Sequence, residues 1–112
     1  MSARKPIDPN DAVDDMLLSA PKYAKAKAER VYLEEFRKSK KAILMQSCSQ
    51  LPIGAQEREA YAHPEYIGLL GALQVAVEAE EALRWRLVAA QTRVEVWRST
   101  EASNRNQDRA AR

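Results

Sequence analysis

The side chains that could act as acids, bases or metal ligands are few. Glu78, Glu80 and Glu81 lie close together, and paired carboxylates can hold a metal ion or share acid and base roles. A metal site in a helical bundle normally adds Glu-x-x-His motifs, which this sequence lacks. The single histidine, His63, and the single cysteine, Cys48, have no clustered partners. We therefore expect no enzyme and no cofactor, with a metal-assisted reaction at Glu78 and Glu81 as a third alternative.

Tryptophan beside arginine offers stacking area together with positive charge. The segment Arg84-Trp85-Arg86 has this composition, and a short basic cluster runs from Arg37 to Lys41. Bases stack on aromatic rings and phosphates pair with arginine, so both segments are candidates for binding single-stranded nucleic acid. If the basic C-terminal tail is helical, three arginines fall on one face of it: Arg105, Arg109 and Arg112. The candidate nucleic-acid-binding residues are Arg37, Lys38, Lys40, Lys41, Arg84, Trp85, Arg86, Arg105 and Arg109.

One long helix is expected at about residues 64–104, which have no proline after Pro64 and no glycine after Gly71. Its apolar residues recur at alternating steps of three and four, as in a helix packed lengthwise against another. Glu80 alone interrupts this series, and we expect it to pair with a lysine or arginine of the facing helix, such as Lys40, or to fix the register. The seam of the long helix is Tyr66, Leu69, Leu73, Ala76, Leu83, Leu87, Ala90, Val94 and Trp97.

A second helix is expected at about residues 21–46, because Ala, Lys, Glu and Leu dominate there. A connector over residues 47–63 follows, with a short helix over residues 55–62, and Pro64 suits the first turn of the long helix. The expected apolar face of the second helix is Ala28, Tyr32, Phe36, Ser39 and Ile43, widened by Leu33 and Leu44.

The two ends of the chain differ from its middle. Residues 1–20 are interpreted as an N-terminal arm, in which residues 1–9 are disordered and Asp8 or Asn10 caps a short helix. Ser19-Ala20-Pro21 is expected to end that helix and begin the next. Residues 105–112 are interpreted as a polar, basic tail.

The sequence therefore predicts an all-α protein, a long antiparallel helical hairpin of coiled-coil type over residues 21–104, with one or two short helices. Such a hairpin leaves a second apolar strip exposed, which is more than a monomer usually leaves in water. We expect a dimer, assembled as a helical bundle, to cover this strip. The alternative to nucleic-acid binding places Trp97 in the hairpin core and Trp85 at the dimer seam. The candidate interface residues are Leu70, Val77, Trp85, Val88 and Val96.

The net charge of +2 conceals two segments of opposite sign. Residues 21–54 carry eight basic and three acidic side chains, whereas residues 55–101 carry five and eight. Either the two segments attract each other within the hairpin, or the basic helix faces a polyanion. No run of 18 apolar residues predicts a transmembrane helix, and a single cysteine excludes an internal disulfide. A cytoplasmic location is expected.

Three stretches together carry a resemblance to a family: VYLEEFRKSKKAILM, AQEREAYAHPEY and RWRLVAAQTRVEVWRSTEASNR. Across about residues 29–105 the chain resembles small helical proteins of tailed bacteriophages and prophages, encoded near recombination and single-strand annealing genes. The resemblance implies a non-catalytic accessory protein in the cytoplasm of a bacterial host. Its expected partner is a recombination or replication protein, single-stranded DNA, or both. The alternative is an inhibitor that binds a host defence or replication enzyme, as anti-CRISPR proteins do.

Overall fold

A computed structural model describes residues 5–111 of the chain. Three helices make up most of them: α1 (Pro9–Gln46), α2 (Ile53–Ala62) and α3 (Pro64–Ala111). Residues 5–8 have no regular secondary structure, and no strand occurs anywhere in the described range. Disorder was predicted for residues 1–9; residues 1–4 lie outside this range, as does Arg112, and Pro9 is the first residue of α1.

The predicted fold class is confirmed, because α1 packs against α3 in an all-α helical hairpin. The described residues form two compact units. One unit comprises the chain up to Tyr23 together with the chain from Ala82 onward, and the other comprises Ala24–Glu81. In the second unit Arg30 contacts Glu80 and Lys40 contacts Glu65, so α1 and α3 are antiparallel there.

The seam predicted on α3 is confirmed by the burial of its side chains. Tyr66, Ala76, Glu80 and Ala90 are buried, and the seam positions between and beyond them are half-buried. The regular spacing of three and four residues keeps one side of the helix packed from Tyr66 to Trp97.

The apolar face predicted on α1 is wrong, although Leu33 and Leu44 do lie on the packed face. Tyr32 and Ile43 are 63% and 53% exposed, whereas Leu44 is 6% exposed. Ala28 and Ser39 are exposed too, and Phe36 is half-buried. The packed face instead follows Arg30, Leu33, Arg37, Lys40 and Leu44. Long basic side chains can line a helix interface when their stems pack and their charged ends reach carboxylates, which is why apolar content alone indicated the wrong face.

The break predicted at Ser19-Ala20-Pro21 is also wrong, because α1 continues through Pro21. Proline removes one backbone hydrogen bond, at a cost of about 3 kcal/mol in a helix interior. Ala12 and Ser19 before the proline are buried and Tyr23 after it is half-buried, so packing holds the helix together on both sides. Asp8 caps this helix as expected, since its carboxylate accepts a hydrogen bond of 2.9 Å from the Asn10 N–H.

The connector contains the expected short helix, α2, which begins two residues earlier than predicted. The Gln56 amide donates hydrogen bonds to the carbonyl oxygens of Ser49 and Leu51, and these bonds close the preceding loop. The imidazole Nδ1 of His63 accepts a hydrogen bond of 3.0 Å from the Glu65 N–H. His63 therefore caps the start of α3, with Pro64 as the first helical residue.

The last turns of α3 differ from the predicted tail, since the helix extends to Ala111. No proline or glycine follows Gly71, and alanine, arginine and glutamine favour the helix. Every described residue from Arg98 onward is exposed, and beyond Asn104 backbone hydrogen bonds and helix propensity hold the helix.

Candidate anion-binding groove

An open groove with a volume of about 590 Å³ lies within the unit Ala24–Glu81. Arg37, Lys38 and Lys41 of α1 line one side of it. Tyr61 of α2 and Tyr66 at the start of α3 line the other. The groove therefore combines three cations with two phenol rings.

A small core holds these elements in place. Leu44, Ala60 and Tyr66 form a buried cluster, and Met45 packs against it. Ala60 is almost completely buried, so α2 lies close to its neighbours at this point. Because Ala60 precedes Tyr61 and Leu44 follows Lys41 by less than one turn, the core fixes the backbone that presents both groove residues.

Lys41 is the cation whose position is most tightly defined. Its Nζ lies 4.7 Å from the centre of the Tyr61 ring and 3.6 Å from a carboxylate oxygen of Glu57. The contact with Tyr61, and then the charge of Glu57, raise the pKa of Lys41 above its usual range, while partial burial opposes them. The ring of Tyr61 in turn meets that of Tyr66 edge to face, at 5.3 Å between centroids. Lys41 is therefore charged at neutral pH and held against an aromatic wall.

Arg37 and Lys38 are less constrained. Lys38 pairs with Glu35 at 3.2 Å, but both side chains are about 70% exposed and such pairs contribute little. Arg37 is half-buried and makes no ion pair with another residue of the described range. Its five N–H donors can therefore serve a ligand in the groove.

Lys40, a fourth predicted member of the basic cluster, does not line the groove. Its Nζ pairs with the Glu65 carboxylate at 2.9 Å, and this contact lowers the pKa of Glu65. Arg30 donates two hydrogen bonds to Glu80, of 2.6 and 3.0 Å, and a third to Glu34. The expectation that Glu80 pairs with a cation of the facing helix is thus confirmed, with Arg30 as the partner in place of Lys40.

The other predicted nucleic-acid-binding residues lie in the other unit. The Arg84 guanidinium stacks near the exposed ring of Trp85, at 5.2 Å from its centroid. Arg86 donates to the Asp15 carboxylate, which lowers the pKa of Asp15 and raises the pKa of Arg86. Arg105 and Arg109 are exposed on one face of α3, one turn apart.

The predicted interface residues are divided between the units. Leu70 and Val77 are exposed in one unit, two turns apart on α3. In the other unit Trp85 and Val96 are exposed and Val88 is half-buried. Trp97 is half-buried and lines an apolar groove of about 470 Å³ with Ile7 and Val96.

Sequence reasoning missed Tyr61 and Tyr66 as partners of the basic cluster. The available signal was the segment AYAHPEY, which puts a tyrosine on each side of the His-Pro turn. His63 caps α3, and the Cys48 thiol donates weakly to the Leu44 and Met45 carbonyls. Over residues 5–111, no group of three potential metal ligands converges.

Fold and groove together define an all-α helical hairpin with a basic, tyrosine-lined groove at its α2 end. No family model matches the chain, and neither a curated protein nor a solved structure matches it. None of the helices within residues 5–111 has the length and apolar character needed to cross a membrane.

Proposed function

We propose that the chain is a non-catalytic accessory protein of DNA metabolism that binds single-stranded DNA in the groove. The observation that carries this proposal is the convergence of Arg37, Lys38 and Lys41 with the rings of Tyr61 and Tyr66. Cations pair with phosphates, and exposed rings stack on bases without regard to sequence. Tyr61 is 48% exposed and so presents part of its ring to a ligand.

The biological setting of this proposal comes from the resemblance of residues 29–105 to small helical phage proteins. Phage recombination and replication generate single strands, and an accessory protein there needs affinity for DNA without catalysis.

Binding of a labelled single-stranded oligonucleotide across a salt series tests the proposal. We expect the logarithm of affinity to fall linearly with the logarithm of salt, because each phosphate that the groove neutralises releases counterions. The variant Lys38→Glu with Lys41→Glu is expected to weaken binding strongly. Binding by this variant equal to that of the original chain would refute the groove as the site.

The matched control for this variant is Lys22→Glu with Lys25→Glu. These lysines are also three residues apart on α1, are exposed and lie outside the groove, and the change in net charge is identical. Equal weakening by both variants would show that total charge, not the groove, governs binding.

A second candidate function is binding of a protein partner, either a second copy of this chain or a host enzyme that the chain inhibits. The exposed large apolar side chains favour it, since Tyr32, Ile43, Ile67 and Val75 are all at least half exposed in the unit Ala24–Glu81. The exposed ring of Tyr32 stacks on the half-buried ring of Phe36, at 5.8 Å between centroids. Sedimentation measurements of mass in solution test self-association. A dimer that becomes monomeric in the variant Ile43→Asp would support self-association. A monomer at all concentrations would leave only a foreign protein as the partner.

A further inference from the structure

Positive charge near the groove is concentrated at one point. Arg37, Lys38 and Lys41 span about 6 Å along the α1 axis. Two other cations of α1 are neutralised by α3, because Arg30 binds Glu80 and Lys40 binds Glu65. A surface that follows a nucleic-acid backbone spreads its cations over several phosphates, whereas these three cations line a single groove.

We infer that the groove holds the terminal phosphate of a nucleic-acid strand, in preference to a phosphate inside the strand. This inference rests on the proposed function. A terminal phosphate is a monoester that carries about −1.5 to −2 charges at pH 7 and three acceptor oxygens. A phosphate inside the strand is a diester with a single charge and two free oxygens. Three converging cations match the monoester better in both charge and number of acceptors.

The donors of the groove suit this ligand. The planar guanidinium of Arg37 can bind two phosphate oxygens at once, and each lysine supplies a further donor. Glu57 lies 3.6 Å from the Lys41 ammonium, beyond ordinary hydrogen-bond length, and Glu35 holds Lys38 only at the surface. A dianionic phosphate is therefore a stronger partner for both lysines than the carboxylates they contact.

The size of the groove fits one end of a strand. Its volume of about 590 Å³ lies within the range of roughly 300–1,000 Å³ that is typical of sites for small ligands. Such a site accommodates a terminal nucleotide with its phosphate on the cations and its base beside the exposed ring of Tyr61.

The test compares three forms of one oligonucleotide on the full chain: 5′-phosphorylated, 3′-phosphorylated, and with hydroxyl groups at both ends. We expect one phosphorylated form to bind about tenfold more tightly than the hydroxyl form, the effect of one additional charge-assisted hydrogen bond. The variant Arg37→Gln is expected to abolish this preference. Lys27→Gln, at an exposed lysine of α1 outside the groove, removes the same charge and is expected to preserve it.

Equal affinity for all three forms, with weaker binding by Arg37→Gln, would overturn the terminal-phosphate inference and leave the proposed function intact. Competition by a free nucleoside monophosphate as strong as that by the phosphorylated strand would overturn it in favour of a nucleotide site. Failure of every oligonucleotide to bind would overturn the proposed function as well. The thermal unfolding of Arg37→Gln, monitored by circular dichroism, should match that of the original chain, which excludes misfolding as the cause of a lost preference.

Discussion

The guanidinium of Arg30 binds the carboxylate of Glu80 through two parallel hydrogen bonds, Nε to Oε2 at 2.6 Å and Nη2 to Oε1 at 3.0 Å. Glu80 is 7% exposed and interrupts the apolar seam of α3. The contact with Glu80, and then that with Glu34, raise the pKa of Arg30 further above its already high value. This pair fixes how α1 and α3 are aligned along their axes, because a shift of either helix by one turn separates the two side chains.

We expect Glu80→Ala and Arg30→Ala each to lower the urea midpoint of unfolding, because each removes one half of the ion pair that links α1 to α3. The double variant Arg30→Met with Glu80→Leu should recover most of the loss, since apolar residues of similar size need no partner. The control is Glu95→Ala, which removes an exposed pair with Arg98 and should change stability little. A double variant less stable than both single variants would contradict this account.

The observed packed face of α1 is tested by two neighbouring residues. Leu44→Ala should reduce the free energy of unfolding by about 2–5 kcal/mol, because it opens a cavity in the core cluster. Ile43→Ala, one residue earlier, should cost no more than about 0.5 kcal/mol in the monomer, because Ile43 is mostly exposed. Chemical denaturation of both variants checks the prediction. A larger loss of unfolding free energy in Ile43→Ala than in Leu44→Ala would contradict the observed packed face and support the face predicted from apolar content.

Replacement of Pro21 should stabilise the protein. Pro21→Ala restores a backbone donor inside α1, a gain of about 3 kcal/mol, of which about 1 kcal/mol is lost because the unfolded chain becomes more flexible. The free energy of unfolding should therefore rise by about 2 kcal/mol. Pro9→Ala is the control, because Pro9 is the first residue of α1, where proline costs nothing. An equal effect at both positions would contradict the prediction.

Asp15 should make stability depend on acid pH. Arg86, with Arg93 in support, lowers the pKa of this carboxyl in the folded protein below the ordinary value of 3.8. The folded state therefore binds fewer protons than the unfolded state near this pKa. The stability that Asp15 contributes is complete above pH 3.8 and is lost as the pH falls through the folded pKa.

Thermal unfolding measured between pH 6 and pH 2 checks this expectation. Asp15→Asn should lower the transition temperature at pH 6 and should reduce the further loss on acidification. The control is Asp14→Asn, next to it on the exposed side of α1. Parallel pH profiles for Asp15→Asn and the original chain would contradict the proposed role of Asp15.

The sequence predicted the fold class and the α3 seam because the apolar residues from Tyr66 to Trp97 recur at alternating steps of three and four, with Glu80 as the one interruption. It could not predict the α1 face, because Arg30 and Lys40 occupy positions where an apolar residue is usual. Across the hairpin these cations pair with Glu80 and Glu65, which lie 50 and 25 residues away from Arg30 and Lys40. A pattern read within one helix contains no information on the register between two helices.

The candidate site was predicted only in part for the same reason. Arg37, Lys38 and Lys41 are adjacent in sequence and could be recognised as a cluster. Tyr61 and Tyr66, on either side of the turn at His63, line the same groove as this cluster. Their position beside it depends on the packing of Ala60 in the core. Lys40 was included because it belongs to the same run, but its side chain points to Glu65.

The exposed last turns of α3 have a consequence for exchange of backbone amide protons with solvent. Helical turns without tertiary contacts open with free energies close to zero, whereas buried turns open with energies that approach that of global unfolding. In deuterated water the amides after Asn104 should therefore exchange within seconds to minutes, while those around Ala76 and Ala90 should remain protected far longer. Although α3 is one continuous helix, its amide exchange rates should therefore divide it into two segments with different timescales.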